Sequence, residues 1–81
     1  MRHNLILPDL GLDGQPIILS LWLADRGMHV AEGEQVVELL AGDAVVDLPS
    51  PADGILIKRF AREGDTLRVG QRLGVVESDE E

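Results

Sequence analysis

The sequence contains no cysteine and almost no aromatic residues. Without cysteine the chain cannot form disulfides, use a thiol nucleophile or build a zinc–cysteine site. Its aromatic residues are Trp22 and Phe60, with no tyrosine, so aliphatic side chains must build the core. The chain also lacks an apolar run of about 18 residues, the length that a membrane-spanning helix needs, and the long apolar stretch of a signal peptide. These absences predict a domain that does not cross a membrane, and we expect a cytoplasmic location.

Basic residues are scarce. Seven Lys and Arg residues stand against 15 Asp and Glu, which gives a formal net charge of −8. A phosphate backbone would repel such a chain, so nucleic acid is disfavoured as a partner. The 81 residues leave room for one small domain with a modest core and exclude a multi-domain enzyme.

Glycine and proline divide the chain into short apolar segments. Nine glycines and four prolines predict frequent chain reversal. The segments between them are rich in β-branched residues, which is typical of strands. A helix from Leu19 to Val30 is the competing interpretation, but no cap precedes it and Gly27 interrupts it. We predict an all-β fold with strands at about 3–8, 16–24, 35–41, 44–48, 54–61 and 72–77, and very short strands near 28–30 and 66–68.

The apolar pattern also predicts which side chains form the core. Trp22 is expected to be only partly covered. The full predicted core is Ile6, Leu19, Trp22, Leu23, Val30, Val36, Leu39, Val46, Ile55, Ile57, Leu67, Leu73 and Val75.

The chain contains an internal repeat at an offset of 37 residues. Each unit reads as an apolar strand, a glycine turn, a short hydrophobic step, a second glycine turn and a strand. Two copies favour a pseudo-two-fold β-sandwich over a solenoid, which needs at least three. The aligned positions are 23–27 with 60–64, Val30 with Leu67, Gly33 with Gly70, and Val36 with Leu73.

Charge is unevenly distributed along the chain. Residues 31–53 carry six acidic side chains and no basic one, whereas residues 58–72 carry five basic and two acidic side chains. One explanation is solvation, together with charged side chains that protect strand edges. The other is an acidic end that meets a basic partner surface. We expect residues 78–81 to form an acidic tail beyond a domain that spans 1–77.

Candidate catalytic residues are few and scattered. His3 and His29 have no second metal ligand at helical or hairpin spacing, and the serines lack the context of a nucleophile elbow. Asp9 and Asp13 could act as an acid–base pair, but nothing in the sequence suggests a pocket around them. We therefore predict no catalytic residue, no metal-ligating residue and no enzyme activity for the domain by itself.

Five segments resemble those of lipoyl domains, the carrier modules of dihydrolipoyl acyltransferase components in 2-oxo acid dehydrogenase complexes. The resemblance runs from about residue 4 to residue 77. It implies a flattened β-barrel, or barrel-sandwich hybrid, of two four-stranded antiparallel sheets with quasi-two-fold symmetry. The segments are LPDLG at 7–11, LWLADRG at 21–27, GEQVVEL at 33–39, VDLPSPADG at 46–54 and REGDTLRVGQRL at 62–73.

The attachment site departs from the family pattern. Lipoyl domains carry lipoate on a lysine at a hairpin tip, in a DKA triplet shortly before the proline of IPSP. Here the matching triplet is Gly42, Asp43 and Ala44, so Asp43 occupies the lysine position. Lys58, the only lysine in the chain, falls inside a predicted strand, and the Met-Lys-Met pattern of biotinyl domains is missing. The resemblance therefore predicts no covalent cofactor, neither lipoate nor biotin.

These observations lead to a non-catalytic lipoyl-like domain that binds a protein partner or assists assembly. Other components of a 2-oxo acid dehydrogenase complex are the expected partners, with no nucleic acid or membrane. Two alternatives stay open. The chain could be the acyl-carrier domain of an acyltransferase whose lysine is replaced in this sequence. It could also be a structural barrel-sandwich module of an adaptor protein.

Overall fold

The computed structural model describes residues 1–12 and 14–79, and its regular structure is entirely β. Over these residues it contains eight strands and no helix, so the competing helix from Leu19 to Val30 is wrong. The strands are β1 (Arg2–Ile6), β2 (Ile17–Trp22), β3 (His29–Val30), β4 (Gln35–Ala41), β5 (Ala44–Pro49), β6 (Gly54–Arg59), β7 (Thr66–Leu67) and β8 (Arg72–Glu77). No described helix is long and apolar enough to cross a membrane.

The strands form two four-stranded antiparallel sheets, as predicted. The first sheet has the order β1-β8-β6-β3 and the second the order β5-β4-β2-β7. The molecule is elongated, with extents of 39 × 19 × 18 Å, and its two separate sheets form a sandwich rather than a closed barrel. The apolar core lies between the two sheets.

The 37-residue repeat is a structural repeat. It carries β2 onto β6, β3 onto β7 and β4 onto β8, and the two sheet orders exchange under it. Gly27 and Gly64 have the same φ of 95°, and Gly33 and Gly70 have φ of 86° and 87°. Because such positive φ values favour glycine, the aligned glycines fix the same turns in both halves.

The predicted strands extend slightly too far at three ends. β2 ends at Trp22, β6 at Arg59 and β1 at Ile6. After β2 and β6 the chain leaves the ladder in the same way in both repeats. The Leu23 N–H donates to the Val36 carbonyl at 2.8 Å, and the Phe60 N–H donates to the Leu73 carbonyl at 2.8 Å.

Two predicted core residues are wrong. Ile6 is 46% exposed and Leu23 is 42% exposed. Side chains alternate across a strand, and Leu5 and Leu7 on either side of Ile6 are buried instead. Leu23 lies beyond the end of β2, where the alternation no longer holds.

On β6, too, the buried side chain is one position away from the predicted ones. Leu56 is fully buried, whereas Ile55 and Ile57 on either side of it are half-buried. Val46 is also half-buried. Val75 is buried but lies outside the main core cluster. Trp22 is 8% exposed, so the expectation that it is only partly covered is wrong. The other predicted core residues are buried as well: Leu19, Val30, Val36, Leu39, Leu67 and Leu73.

Met1 and Ser78 lie beside each other. The Met1 amino group donates to the Ser78 carbonyl at 3.0 Å, and the Ser78 hydroxyl donates to the Met1 carbonyl at 3.3 Å. Ser78 is therefore buried at the edge of the first sheet. Glu80 and Glu81 of the expected acidic tail lie outside the described residues.

Candidate functional site

The hairpin between β4 and β5 carries the residues that the sequence singled out. Ala41 pairs with Ala44, which leaves Gly42 and Asp43 as a two-residue tip. Gly42 has φ of 61°, and Asp43 does not have a positive φ. A positive φ only at the first central residue, with glycine there, is typical of a type II′ hairpin turn. The turn therefore presents Asp43 as an exposed side chain at the apex.

The loop that precedes β2 packs against this tip. Leu12 and Gln15 form a concave surface with the hairpin residues 41–44. A Cβ added to Gly42 would lie 2.5 Å from the Gln15 Oε1 atom. Glycine at this position therefore permits both the turn and the close approach of the Gln15 side chain.

Two half-buried carboxylates lie further down the hairpin. Glu38 on β4 pairs in register with Asp47 on β5, so two like charges lie opposite each other. The Ser20 hydroxyl donates to Glu38 Oε2 at 3.0 Å. Asp47 Oδ1 is buried and has no hydrogen-bond partner among the described residues. Between this pair and the tip, Leu40 and Val45 are exposed apolar neighbours.

The hairpin tip contains no amine. Its side chains, from Ala41 to Ala44, are two methyl groups, a hydrogen and a carboxylate. Lys58 is exposed on β6, in the other sheet, where it pairs with Val75 of β8. The chain's one lysine side chain therefore belongs to a different sheet from the hairpin.

In the part of the chain that the structure describes, the other sequence candidates do not come together as a catalytic or metal site. His3 Nε2 lies 3.1 Å from the Ser78 hydroxyl, and His29 is exposed on β3. Asp9 accepts the Gly11 N–H at 2.9 Å, while Asp13 lies outside the described residues. In residues 1–12 and 14–79, no three His, Asp or Glu side chains group closely enough to hold a metal ion.

Sequence reasoning missed one arrangement of side chains near β6. The Arg72 guanidinium carbon lies 4.4 Å from the centroid of the Phe60 ring, and the Arg59 guanidinium carbon lies 5.6 Å from the centroid of the Trp22 ring. The only sequence signal for this arrangement was the concentration of basic residues over 58–72. Arg26 joins this surface only through the fold, because it lies more than 30 residues earlier in the chain.

Comparison with known proteins gives one consistent family. The model of the biotin/lipoyl family, described as "biotin-requiring enzyme", matches residues 3–76. A dihydrolipoyllysine-residue succinyltransferase component of the 2-oxoglutarate dehydrogenase complex from Bartonella vinsonii subsp. berkhoffii is 36% identical over 78 residues. That alignment covers 96% of this chain and 19% of the relative. The corresponding Staphylococcus saprophyticus component is 42% identical over 58 residues, which are 72% of this chain and 14% of the relative.

A solved structure agrees with these relatives. The solution structure of the lipoyl domain of the 2-oxoglutarate dehydrogenase complex from Azotobacter vinelandii matches with a TM-score of 0.67 and 25% identity. The match covers 78% of this chain and 80% of that one. The chain thus spans about a fifth or less of the curated relatives' length, and most of a separate lipoyl domain.

Proposed function

We infer the function from family membership: the chain belongs to the biotin/lipoyl family, whose members carry lipoate or biotin on a lysine. Lipoyl domains are carriers and are not catalytic themselves, and the relatives of this chain are parts of acyltransferase components. Our proposal is that this chain is a non-catalytic member without a covalent cofactor. It acts as a protein-binding or assembly module related to 2-oxo acid dehydrogenase complexes.

One observation carries this proposal, the carboxylate at the hairpin apex. Attachment of lipoate or biotin forms an amide between the cofactor's carboxyl group and a lysine amine. Asp43 offers a carboxylate at the apex, and a carboxylate cannot form that amide. We therefore assign Asp43 to the position that the attachment lysine holds in the family.

Lys58 is a poor substitute for an attachment lysine. It lies on β6 in a paired strand, beside Val75, and not at the apex of a turn. A modifying enzyme that reads a lysine displayed at a hairpin apex would find Lys58 within a ladder instead, where β6 is paired with β8.

The test is enzymatic lipoylation followed by intact-mass measurement. The wild-type protein, incubated with a lipoyl ligase, ATP and lipoate, is expected to gain no mass. The Asp43→Lys variant is expected to gain one lipoyl group, since the two-residue turn displays residue 43 at the apex. Val45→Lys is the matched control, because it places a lysine on the same hairpin at the second position of β5, two residues after Asp43, at a residue that is 61% exposed.

The alternatives give different results. Lipoylation of the wild type that disappears in Lys58→Arg would show that Lys58 is the attachment site and would refute the proposal. A folded Asp43→Lys variant that stays unmodified would show that the surface read by the ligase is also missing. That result would favour the structural adaptor module over a carrier domain that lost only its lysine.

A further inference from the structure

Most of the basic side chains in this acidic protein have no acidic partner within residues 1–12 and 14–79. Among the described residues, Arg2 pairs with Glu77 at 3.2 Å and Arg59 with Asp25 at 3.8 Å. The remaining five of the seven basic side chains form no ion pair in this part of the chain. The described chain therefore leaves these five cations without a carboxylate within ion-pair distance, although the protein has 15 acidic residues.

Four of the basic residues and one aromatic residue form a continuous surface. Arg26, Lys58, Arg59 and Phe60 line one shallow concavity at the end of β6. Arg72, on the neighbouring strand β8, stacks on the Phe60 ring at 4.4 Å. We call these five residues the basic cluster. Asp25 is the one carboxylate within ion-pair distance of it in the described chain.

The internal repeat shows that the fold does not require these charges. The first repeat provides the same backbone positions 37 residues earlier, and none of their side chains is cationic. Lys58 and Arg59 correspond to Leu21 and Trp22. Phe60 corresponds to Leu23, and Arg72 corresponds to Gln35. The positive charge of Lys58, Arg59 and Arg72 is therefore a property of the second repeat, and Arg26 from the first repeat adds a fourth cation to the cluster.

Phe60 gives the cluster an apolar centre. Its side chain is 46% exposed although it is one of only two aromatic residues in the chain. The Arg72 guanidinium holds the ring in place by a cation–π contact and keeps donors free for a carboxylate. An exposed aromatic ring flanked by unpaired cations matches a ligand that combines carboxylates with an apolar group.

We propose that the basic cluster is a docking site for an acidic segment of a partner protein. Carboxylates of that segment contact Arg26, Lys58 and Arg72, and an apolar side chain packs on Phe60. This inference rests on the proposed function as a protein-binding module and names the surface that performs it. A short segment is favoured over a nucleic acid or an anionic membrane, because a protein of net charge −8 repels an extended polyanion beyond the cluster.

The test measures binding of a defined acidic peptide by fluorescence anisotropy. The probe is fluorescein-labelled Glu-Glu-Leu-Glu-Leu-Glu, and the variants are two charge-matched doubles. Lys58→Gln/Arg72→Gln removes two cations of the cluster and is expected to weaken binding about tenfold. Arg2→Gln/Arg68→Gln removes two cations outside it and is expected to change binding less than about twofold. Phe60→Ala is expected to weaken binding at least about threefold, with an unchanged dependence on salt.

Several outcomes would overturn this proposal. Equal losses in the two double variants would mean that net charge, not the cluster, attracts the probe. Tighter binding of a single-stranded oligonucleotide or of phosphatidylserine vesicles would show that the partner is not a protein. A dimer in sedimentation that only the cluster variant abolishes would identify a second copy of this chain as the occupant.

The proposal and the proposed function can fail separately. A wild type that accepts lipoate but loses the peptide in Lys58→Gln/Arg72→Gln would refute the assignment of a cofactor-free module and leave the docking site standing. A wild type that is not lipoylated and binds no acidic peptide would refute the docking site and leave the assignment of a cofactor-free module standing. Melting curves of every variant show whether a loss of binding reflects unfolding.

Discussion

The two repeats of this protein share a backbone but differ in side chains. The Gly27 N–H donates to the Leu56 carbonyl at 2.7 Å, and 37 residues later the Gly64 N–H donates to the Leu19 carbonyl at 2.7 Å. The bulges in β2 and β6 fall at equivalent positions as well, after Leu19 and after Leu56. The architecture is thus encoded twice by the spacing of glycines and apolar residues.

The core, by contrast, is not symmetric. Trp22 lies on β2, and its ring reaches across to β8, where it would be 3.5 Å from a Cβ at Gly74. The equivalent of Trp22 is Arg59, and the equivalent of Gly74 is the fully buried Val37. The Trp22 indole therefore occupies core space beside Gly74, and the equivalent pair, Arg59 and Val37, does not repeat this packing. The difference shows that each repeat specifies its turns alone but that the repeats fill the core jointly.

The largest expected effect comes from the matched core leucines. Leu19→Ala and Leu56→Ala each remove a fully buried side chain from an equivalent strand position. Each is expected to lower the free energy of unfolding by about 2–5 kcal/mol, because a cavity remains. Urea denaturation of both variants checks this. A loss confined to one of them would show that the two halves do not contribute equally to the core.

Gly74 tests the asymmetric packing. A Cβ at this position would lie 2.7 Å from the Lys58 carbonyl oxygen, which is backbone and cannot move freely. Gly74→Ala is expected to destabilise the fold by about 1–3 kcal/mol through overpacking. Thermal melting measures the change. Unchanged stability would mean that the backbones of β6 and β8 move apart to accommodate the Cβ at position 74.

The matched turns differ in one hydrogen bond. In the second repeat, Asp65 Oδ2 accepts the Arg62 N–H at 2.9 Å, whereas in the first Met28 Sδ lies 3.2 Å from the Asp25 N atom. Thioether sulfur is a weak acceptor. Met28→Asp should therefore stabilise the protein by about 0.5–1.5 kcal/mol, and Asp65→Met should destabilise it by a similar amount. Chemical denaturation of the pair gives the comparison, and a destabilised Met28→Asp would contradict it.

The smallest effect concerns charge on the outer sheet faces. Glu38 faces Asp47 across β4 and β5, whereas its equivalent in the second repeat is Val75. Like charges opposite each other cost about 0.2–1 kcal/mol, so Glu38→Gln should raise the melting temperature at low salt. The gain should shrink above about 0.1 M salt, where the Debye length is about 10 Å. Wild-type melting that does not rise across a salt series would show that the acidic repulsion is immaterial.

The sequence predicted the turns and strands more accurately than the directions of the side chains. The strand pattern, the repeat and the hairpin around Asp43 all follow from glycine spacing and local alternation. Ile6 was predicted to be inside because it lies in an apolar run, yet Leu5 and Leu7 face the core. When neighbouring residues are equally apolar, alternation alone does not say which set faces inward. Which set faces the core depends on the pairing with the neighbouring strand. On β1, Leu5 pairs with Gly74 of β8 and faces inward.

The candidate sites divide in the same way. The hairpin tip is local, so the resemblance to the lipoyl-domain pattern, counted back from Pro49, was enough to find Gly42 and Asp43. The basic cluster is not local, because Arg26 comes from the first repeat and meets Lys58 and Arg59 only in the folded chain. Composition showed a basic stretch, but no sequence pattern showed that most of its side chains form no ion pair among the described residues.

By itself, then, the sequence determined the strands, the two-fold repetition and the residue at the hairpin apex, since these depend on backbone preferences within a few residues. Tertiary structure alone decided that Trp22 fills the space above Gly74 and that Arg26 joins the cations of β6. Both contacts join residues on opposite sides of the repeat boundary. Such contacts depend on the volume and charge that the other half presents across the core, and a local pattern carries no information about either.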